Sequence, residues 1–406
     1  MFVKSNRNFR LLMLGQSFAN VGDVLYVVSI ISVLYKMTAS AAVAAFVPFT
    51  ITSAMFVSSF LMPLFIREYE LKKLLLGSQI GKTIILLVLA IFMTSWLHPA
   101  NYHFLFLLIA GVAFLDGCAN PIRQTLIPHY VEDDELLQAN GLSETITQLI
   151  QMGMWMSGSL LLVVFQQNQL IWCTFGLFAF ASLCLSHLKR VEHHAPVQEG
   201  KWLQFTVGWK MIKGIPLLKA LAQMEFLEAA ASTVWIAAIL YVFVEEALQE
   251  GEQWWGFING AFFVGLIAGS VLSMRYSFYI EKHRGNFIFV GALFGFIGTL
   301  FFGTTSSPLW ALLLSSFIGL FGQLKSIPQQ TVIQTSISRE QLAAVYTSLG
   351  MIGTGIFGAG SLLIGVVAHA FGVRFVFFLS ALMLALSSLI AYRNRSQFLK
   401  KSNYEG

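Results

Sequence analysis

Residues 83–115 read TIILLVLAIFMTSWLHPANYHFLFLLIAGVAFL and contain no Asp, Glu, Lys or Arg. A helix with one face in water needs a polar stripe along it, and this run offers none on any face. Pro99 and Asn101 sit in a short turn-like interruption, with apolar residues continuing on both sides. The stretch therefore reads as a pair of helices that face lipid or other helices, each with the roughly 20 apolar residues that a bilayer requires.

The rest of the chain follows the same pattern. Of 406 residues, 56% are hydrophobic and 11% charged, whereas soluble domains carry roughly 25% charged residues. That composition excludes an ordinary soluble globular protein, because too few polar side chains remain to cover its surface. Breaks at charge clusters and Pro, Gly or Asn turns predict spans near 11–35, 42–66, 74–96, 103–127, 139–165 and 169–187, then 217–243, 254–276, 287–304, 309–327, 342–367 and 373–392. The expected fold is an all-α membrane protein of twelve transmembrane helices in two six-helix bundles. The stretch after Arg10 runs past Tyr35 without a cleavage pattern, so it is expected to be a retained span and not a signal peptide.

The net charge of +5 does not point to nucleic acid, because the bases occur in small groups between apolar runs. Topology accounts for them. With both termini in the cytoplasm, every Lys and Arg except Lys36 and Arg374 falls at the cytoplasmic side, while Glu245, Glu246, Glu250 and Glu252 fall outside. Cys118, Cys173 and Cys184 lie in apolar segments without metal-ligand spacing and read as packing residues. Neither a metal nor a cofactor is expected.

The longest polar stretch, near His187 to Lys213, divides the chain into an N-terminal bundle (residues 1–187), a cytoplasmic linker (188–213) and a C-terminal bundle (214–406). Trp202, Phe205, Val207, Trp209 and Ile212 alternate with Lys201, Lys210 and Lys213, the pattern of a helix lying on the inner membrane surface. The halves also echo one another: Thr125-Leu126-Ile127, Val131 and Asp134-Glu135-Leu136 recur as Thr331-Val332-Ile333, Ile337 and Glu340-Gln341-Leu342. A parallel repeat of two six-span units is one architecture of secondary transporters.

Asn8-Phe9-Arg10-Leu11-Leu12 through Gly15-Gln16 to Gly22-Asp23, and Pro121-Ile122-Arg123-Gln124 through Ile127-Pro128 to Glu135-Leu136-Leu137-Gln138-Ala139-Asn140, resemble major facilitator superfamily transporters. More narrowly, they resemble the group that includes drug, macrolide and siderophore exporters. The second-to-third-span connection, Pro63 to Lys73 with Arg67, keeps the bases of the family's gating loop but not its glycines. The fifth-span segment Gly153 to Gly158 lacks the proline of the antiporter pattern. The resemblance implies alternating access around a cavity lined by spans 1, 4, 7 and 10, a small-molecule substrate, protons as coupling ion, a monomer, and a bacterial-type inner membrane.

Charges within spans are costly and mark candidate sites. Asp23, mid-way along the first span, reads either as the proton-coupling carboxylate or as a structural acid bonded to Asn20 or to backbone in a break near Gly22. Asp116 is a second candidate cavity acid, and Arg123 a gating base paired with an acid between Glu132 and Glu135. Glu144, one turn into its span, reads first as a gate or helix-start acid. Glu225 and Glu228 share a helix face and suit a protonation switch or a cationic substrate, unless Glu225 pairs with Lys219 or with a base near the inner surface. Lys82 and Lys325 read as cavity charges for an anionic substrate or, since both lie within a few residues of an expected cytoplasmic boundary, first as snorkelling side chains.

Gly77-Ser78-Gln79-Ile80-Gly81-Lys82-Thr83 imitates a phosphate-binding loop, but its glycines are one residue too close and it lies within a helix. No Ser, Cys or metal constellation points to catalysis, so the chain is read as a non-enzyme. The function expected is proton-coupled efflux of an amphipathic small molecule, with an uptake symporter on the same fold as the alternative and a membrane sensor or enzyme as the remote one.

Overall fold

The computed structural model describes residues 6–191 and 201–399, and every regular element among them is helical. The first half contains α1 (Arg7–Thr38), α2 (Ala41–Glu68), α3 (Leu71–Ile91, extended by a π turn Phe92–Trp96), α4 (His103–Tyr130), α5 (Leu136–Val164) and α6 (Gln167–Ser186). After α7 (Lys201–Gly214) come α8 (Pro216–Ala231), a 3-10 turn Ser232–Trp235, α9 (Ala237–Val242) and a π turn Phe243–Leu248. The chain continues through α10 (Gln253–Arg275), α11 (Ser277–Lys282), α12 (Arg284–Thr304), α13 (Pro308–Ser336), α14 (Arg339–Phe371) and α15 (Val373–Asn394).

Ten of these helices are long and apolar enough to cross a membrane, and the α8–α9 pair, bent by 50°, forms an eleventh span. Helix α5, with 29 residues and no charge beyond Glu144, completes the set of twelve. The seventh span, expected to be one helix, is broken instead: Ile236 adopts an extended backbone (ψ 148°) between α8 and α9. The phosphate-loop look-alike lies wholly within continuous α3.

The chain divides into two compact units, Met1–Val131 with Leu149–Phe205, and Glu132–Gln148 with Thr206–Gly406. In the first, Tyr26, Ile30, Leu86, Leu89, Ile109 and Phe178 share one apolar core. Lipid tails are as apolar as these side chains, so packing and polar contacts hold the helices together. Gly22 illustrates the packing: a Cβ there would lie 2.5 Å from the Phe178 ring of α6, so only glycine lets α1 and α6 approach this closely. Tyr130 donates to the Lys189 carbonyl at 2.9 Å, and Asn8 accepts from the Lys189 amide at 2.9 Å, tying the segment after α6 to α1 and α4.

The second unit has two large apolar cores and a small cluster of Leu137, Ile280 and Ile327. One large core joins the start of α8 with the end of α13, the start of α14 and Phe398; the other joins Val234, Phe243, Phe302, Ile318 and Phe377. Helices α10 and α13 meet on small residues, where a Cβ on Gly265 would fall 1.9 Å from the Ser316 carbonyl oxygen. The second half of α7 packs against α14, with Gly208 abutting the Ala344 carbonyl, so protein covers part of a helix read from sequence as a membrane-surface element. The first turns of α5 belong here too: buried Asn140 donates to Thr331 at 3.0 Å and Gln334 at 2.7 Å, and Asp133 pairs with Arg339 at 3.1 Å.

Arg374, one of the two bases outside the charge pattern, serves as a clamp. Its guanidinium donates to the carbonyls of Gly303 (3.0 Å), Thr305 (3.1 Å) and Ala247 (3.2 Å) and to Ser306 Oγ (2.8 Å). Most of these oxygens lie at the end of α12, where helix carbonyls lack intrahelical donors. Arg374→Gln is expected to destabilise the protein by roughly 1.5–3 kcal/mol, the range for lost charged hydrogen bonds, read as a lower unfolding temperature in detergent with insertion unchanged.

Candidate functional site

Lys82 lies three turns into α3 and is 1% exposed. Its ammonium donates to Asp23 Oδ1 at 2.9 Å and Oδ2 at 3.0 Å from α1, and to Asp116 Oδ1 at 2.7 Å from α4. The Phe178 ring of α6 closes the fourth side, its centroid 4.8 Å from Nζ. Lysine supplies three donors and no acceptor, so carboxylates and an aromatic face match its needs. The carboxylates are less enclosed: Asp23 is 24% and Asp116 32% exposed. Asp116 uses a single oxygen on Lys82 and makes no other hydrogen bond among the described residues.

Lys82 is therefore no snorkelling side chain, because two acids meet it inside the bundle and remove any need to reach the interface. The structural alternative for Asp23 also changes. Helix α1 is continuous through Gly22, and Asn20 accepts from Gln16 at 2.6 Å, leaving Lys82 as the partner of Asp23. The glycine near Asp23 makes room for Phe178 instead of breaking the helix.

A second charged group lies in the other unit. Glu228 of α8 accepts from Lys325 of α13 through Oε2 and from Ser387 of α15 through Oε1, the latter at 2.7 Å. Lys325 is thus also an ion-pair partner and not an interfacial side chain. Glu225, one turn earlier on α8, faces α14, where a Cβ on Gly353 would stand 2.6 Å from its carboxyl oxygen. Lys219 is exposed and forms no pair with Glu225. Along α8 this polar layer separates the two apolar cores, which include Met224 on one side and Val234 on the other.

Among the other candidates, Arg123 donates to Asn120 at 3.0 Å within α4, and Glu144 accepts from Gln148 at 3.3 Å within α5. The side chain of Arg67 lies outside the described residues, as do Glu192, His193, His194 and Glu199 of the linker. Sequence reading passed over Asn140, although it ends one of the motifs quoted above. Its signal was a carboxamide in the first turns of an apolar span, where a buried polar group requires partners. No group of three or more His, Cys, Asp or Glu among the described residues is placed to hold a metal ion.

Helices apolar enough to span a bilayer, enclosing paired charges at mid-bundle, define a polytopic membrane carrier. The chain belongs to the Major Facilitator Superfamily, whose sequence profile matches residues 12–359. It is 27% identical over 403 residues to YfmI, an uncharacterized MFS-type transporter of Bacillus subtilis (strain 168), covering 98% of each chain. It is 28% identical to a second one, YjbB, of the same organism, covering 95% of each. Similar solved structures include the human organic anion transporter MFSD10 (TETRAN), with TM-score 0.76 and 14% identity over 95% of this chain and 99% of that one. A variant of the E. coli fucose:proton symporter FucP gives TM-score 0.73 and 15% identity over 96% and 98%. At these identities the structural likeness is one of fold. The chain is a multi-pass membrane protein and a secondary transporter of small molecules, not an enzyme.

Removing Lys82 would leave two facing carboxylates without their cation. Breaking a buried pair in this way costs roughly 3–5 kcal/mol. Lys82→Met is therefore expected to lower the unfolding temperature sharply, and Lys82→Met combined with Asp116→Asn to recover much of the loss. Thermal unfolding of the purified single and double variants checks this.

Proposed function

We propose that this chain is a proton-coupled exporter of an amphipathic small molecule, an antiporter of the kind that includes drug, macrolide and siderophore exporters. It works as a monomer in a bacterial cell membrane, with both termini cytoplasmic. Its bundles, residues 1–187 and 214–406, rock about the linker 188–213 by alternating access. The observation that carries the reading is a lysine sealed at 1% exposure between two aspartates that remain 24% and 32% exposed.

Lys82 neutralises one carboxylate, so the pair of aspartates retains one negative charge in excess. That charge is the place for a proton. When Asp23 or Asp116 takes one, the other keeps the ammonium and the cluster becomes neutral; when the proton leaves, both acids compete for the donors of Lys82. A change in the charge of a cluster shared by α1, α3 and α4 alters how strongly those helices hold together, which is how a bound proton biases one conformation. Glu225 and Glu228 serve as the matching acids of the C-terminal bundle, Glu228 being held by Lys325 and Ser387. Arg123, Glu144 and Arg67 are assigned to gating at the cytoplasmic side, and within the second unit the Asp133–Arg339 pair and the Asn140 contacts hold the first turns of α5 against α13 and α14.

The test is proton movement in proteoliposomes challenged with hydrophobic cations, macrolides and siderophore-like chelates. A compound-triggered proton flux is expected, and Asp23→Asn and Glu228→Gln are each expected to abolish it while insertion stays normal. Transport whose rate and pH dependence survive Asp23→Asn unchanged overturns the coupling assignment.

A further inference from the structure

Helices α2 and α3 each pack along α4 but scarcely meet one another. The gap between them is a cavity of about 290 Å3, floored by Phe114 and Leu115 of α4 and walled by Phe65 and Tyr69 at the end of α2 and by Lys73 and Gly77 of α3. It opens outward from the bundle: Phe65 and Tyr69 are 39% and 50% exposed, and a Cβ on Gly77 would meet nothing within 4 Å. The floor is apolar, and its volume lies at the lower limit of pockets that take drug-sized ligands, about 300 Å3. Such a slot fits a hydrocarbon chain better than a polar metabolite.

The mouth is different in character. It lies at the α2–α3 connection, near Gly77 on the first turns of α3, where the described charged groups are Lys72, Lys73 and Arg190 around Glu70. Lys73 bonds Glu70 at 3.0 Å, and Lys72 donates to the Leu188 carbonyl. The hydrogen bond from Lys73 holds the Glu70 carboxyl below the usual carboxylate range, and Arg190 and Lys72 add to the effect. Glu70 occupies one of the three ammonium donors of Lys73, so donors remain for an anion. An apolar slot running into the membrane beneath a basic rim at its surface is complementary to a lipid with a negatively charged headgroup.

We infer that this groove binds an anionic phospholipid, one acyl chain lying over Phe114 and Leu115 and the phosphate engaging Lys73 and the Tyr69 hydroxyl. The site is separate from the Lys82 cluster and does not depend on the transport direction. Occupancy fills the space between α2 and α3, so the lipid acts as a wedge that holds these helices at their observed separation.

Native mass spectrometry of the purified protein, titrated with phosphatidylglycerol and with phosphatidylcholine of the same chains, tests the site. Phosphatidylglycerol is expected to be retained preferentially, and inorganic phosphate alone is expected not to displace it. Lys73→Gln should cut the preference about five-fold, since one basic residue at the surface contributes about 1 kcal/mol toward anionic lipid. Gly77→Leu, which projects into open space, should fill the slot and lower retention of both lipids without lowering the unfolding temperature. Equal retention of the two lipids by the unsubstituted protein, displacement by inorganic phosphate, or undiminished lipid binding by Gly77→Leu would each overturn the proposal.

Discussion

A lysine ammonium closed off from solvent within a bilayer has to be neutralised where it stands, and Lys82 imposes that demand on the whole first unit. Leaving the charge unpaired would cost several kcal/mol. Its partners come from two other helices, so α1, α3 and α4 must meet at one level with their carboxylates aimed inward. The close contacts nearby follow from this. Gly22 allows Phe178 to reach the cluster, and Gly117 packs against Met55 and Ser58 of α2, keeping α4 near its neighbours. Around this centre the core is apolar and could slide, since dispersion alone specifies register poorly; the charged cluster specifies it.

The second unit meets a similar demand with different parts. Lys325 approaches Glu228 from α13, and Ser387 from α15 supplies the donor for the other carboxylate oxygen. This polar layer separates two apolar cores, and the break between α8 and α9 begins just beyond it. A continuous seventh span would carry its second half in a straight line from Glu228. The bend instead places Trp235 against Phe302 and Phe377, and Phe243 against both of those rings. The core that contains Trp235, Phe243, Phe302 and Phe377 is thus an aromatic cluster assembled around a kink. It owes nothing to proline or glycine, because residues 232–236 contain neither.

Much of this was legible in the sequence, for physical reasons. Membrane-spanning helices have a strong compositional signal, and a carboxylate mid-span such as Asp23 or Asp116 stands out against it. The surroundings of Lys82 and Lys325 are not legible in this way, because each lies within a few residues of a span end as the sequence predicts it, where a long flexible side chain has two outlets. Which outlet it takes depends on the helix face and on what stands opposite, and only the assembled bundle determines that. The break after Ala231 left no trace because it arises from packing around Trp235, not from a residue that rejects helical geometry. Arg374 looked like an exception to charge topology; its partners include backbone carbonyls at the end of α12, which no side-chain pattern records. Asn140 was overlooked for a related reason, since Thr331 and Gln334 lie almost two hundred residues further along the chain.

Comparing the halves separates what the repeat kept from what it changed. Each unit places two carboxylates within electrostatic reach of one lysine: Asp23 and Asp116 with Lys82, and Glu225 and Glu228 with Lys325. The lysines do not occupy corresponding places, because Lys82 comes from the third span of its half and Lys325 from the fourth. The acids differ as well, being split between two helices in one unit and carried one turn apart on a single helix in the other. What persists is the ratio of two acids to one base inside an apolar bundle, reached by different side chains. Sequence comparison between halves detects residues and so finds only Thr125 with Thr331 and its neighbours. The balance of charge is a property of the folded unit, and a cluster with one acid in excess retains capacity for a positive charge whichever helices supply it.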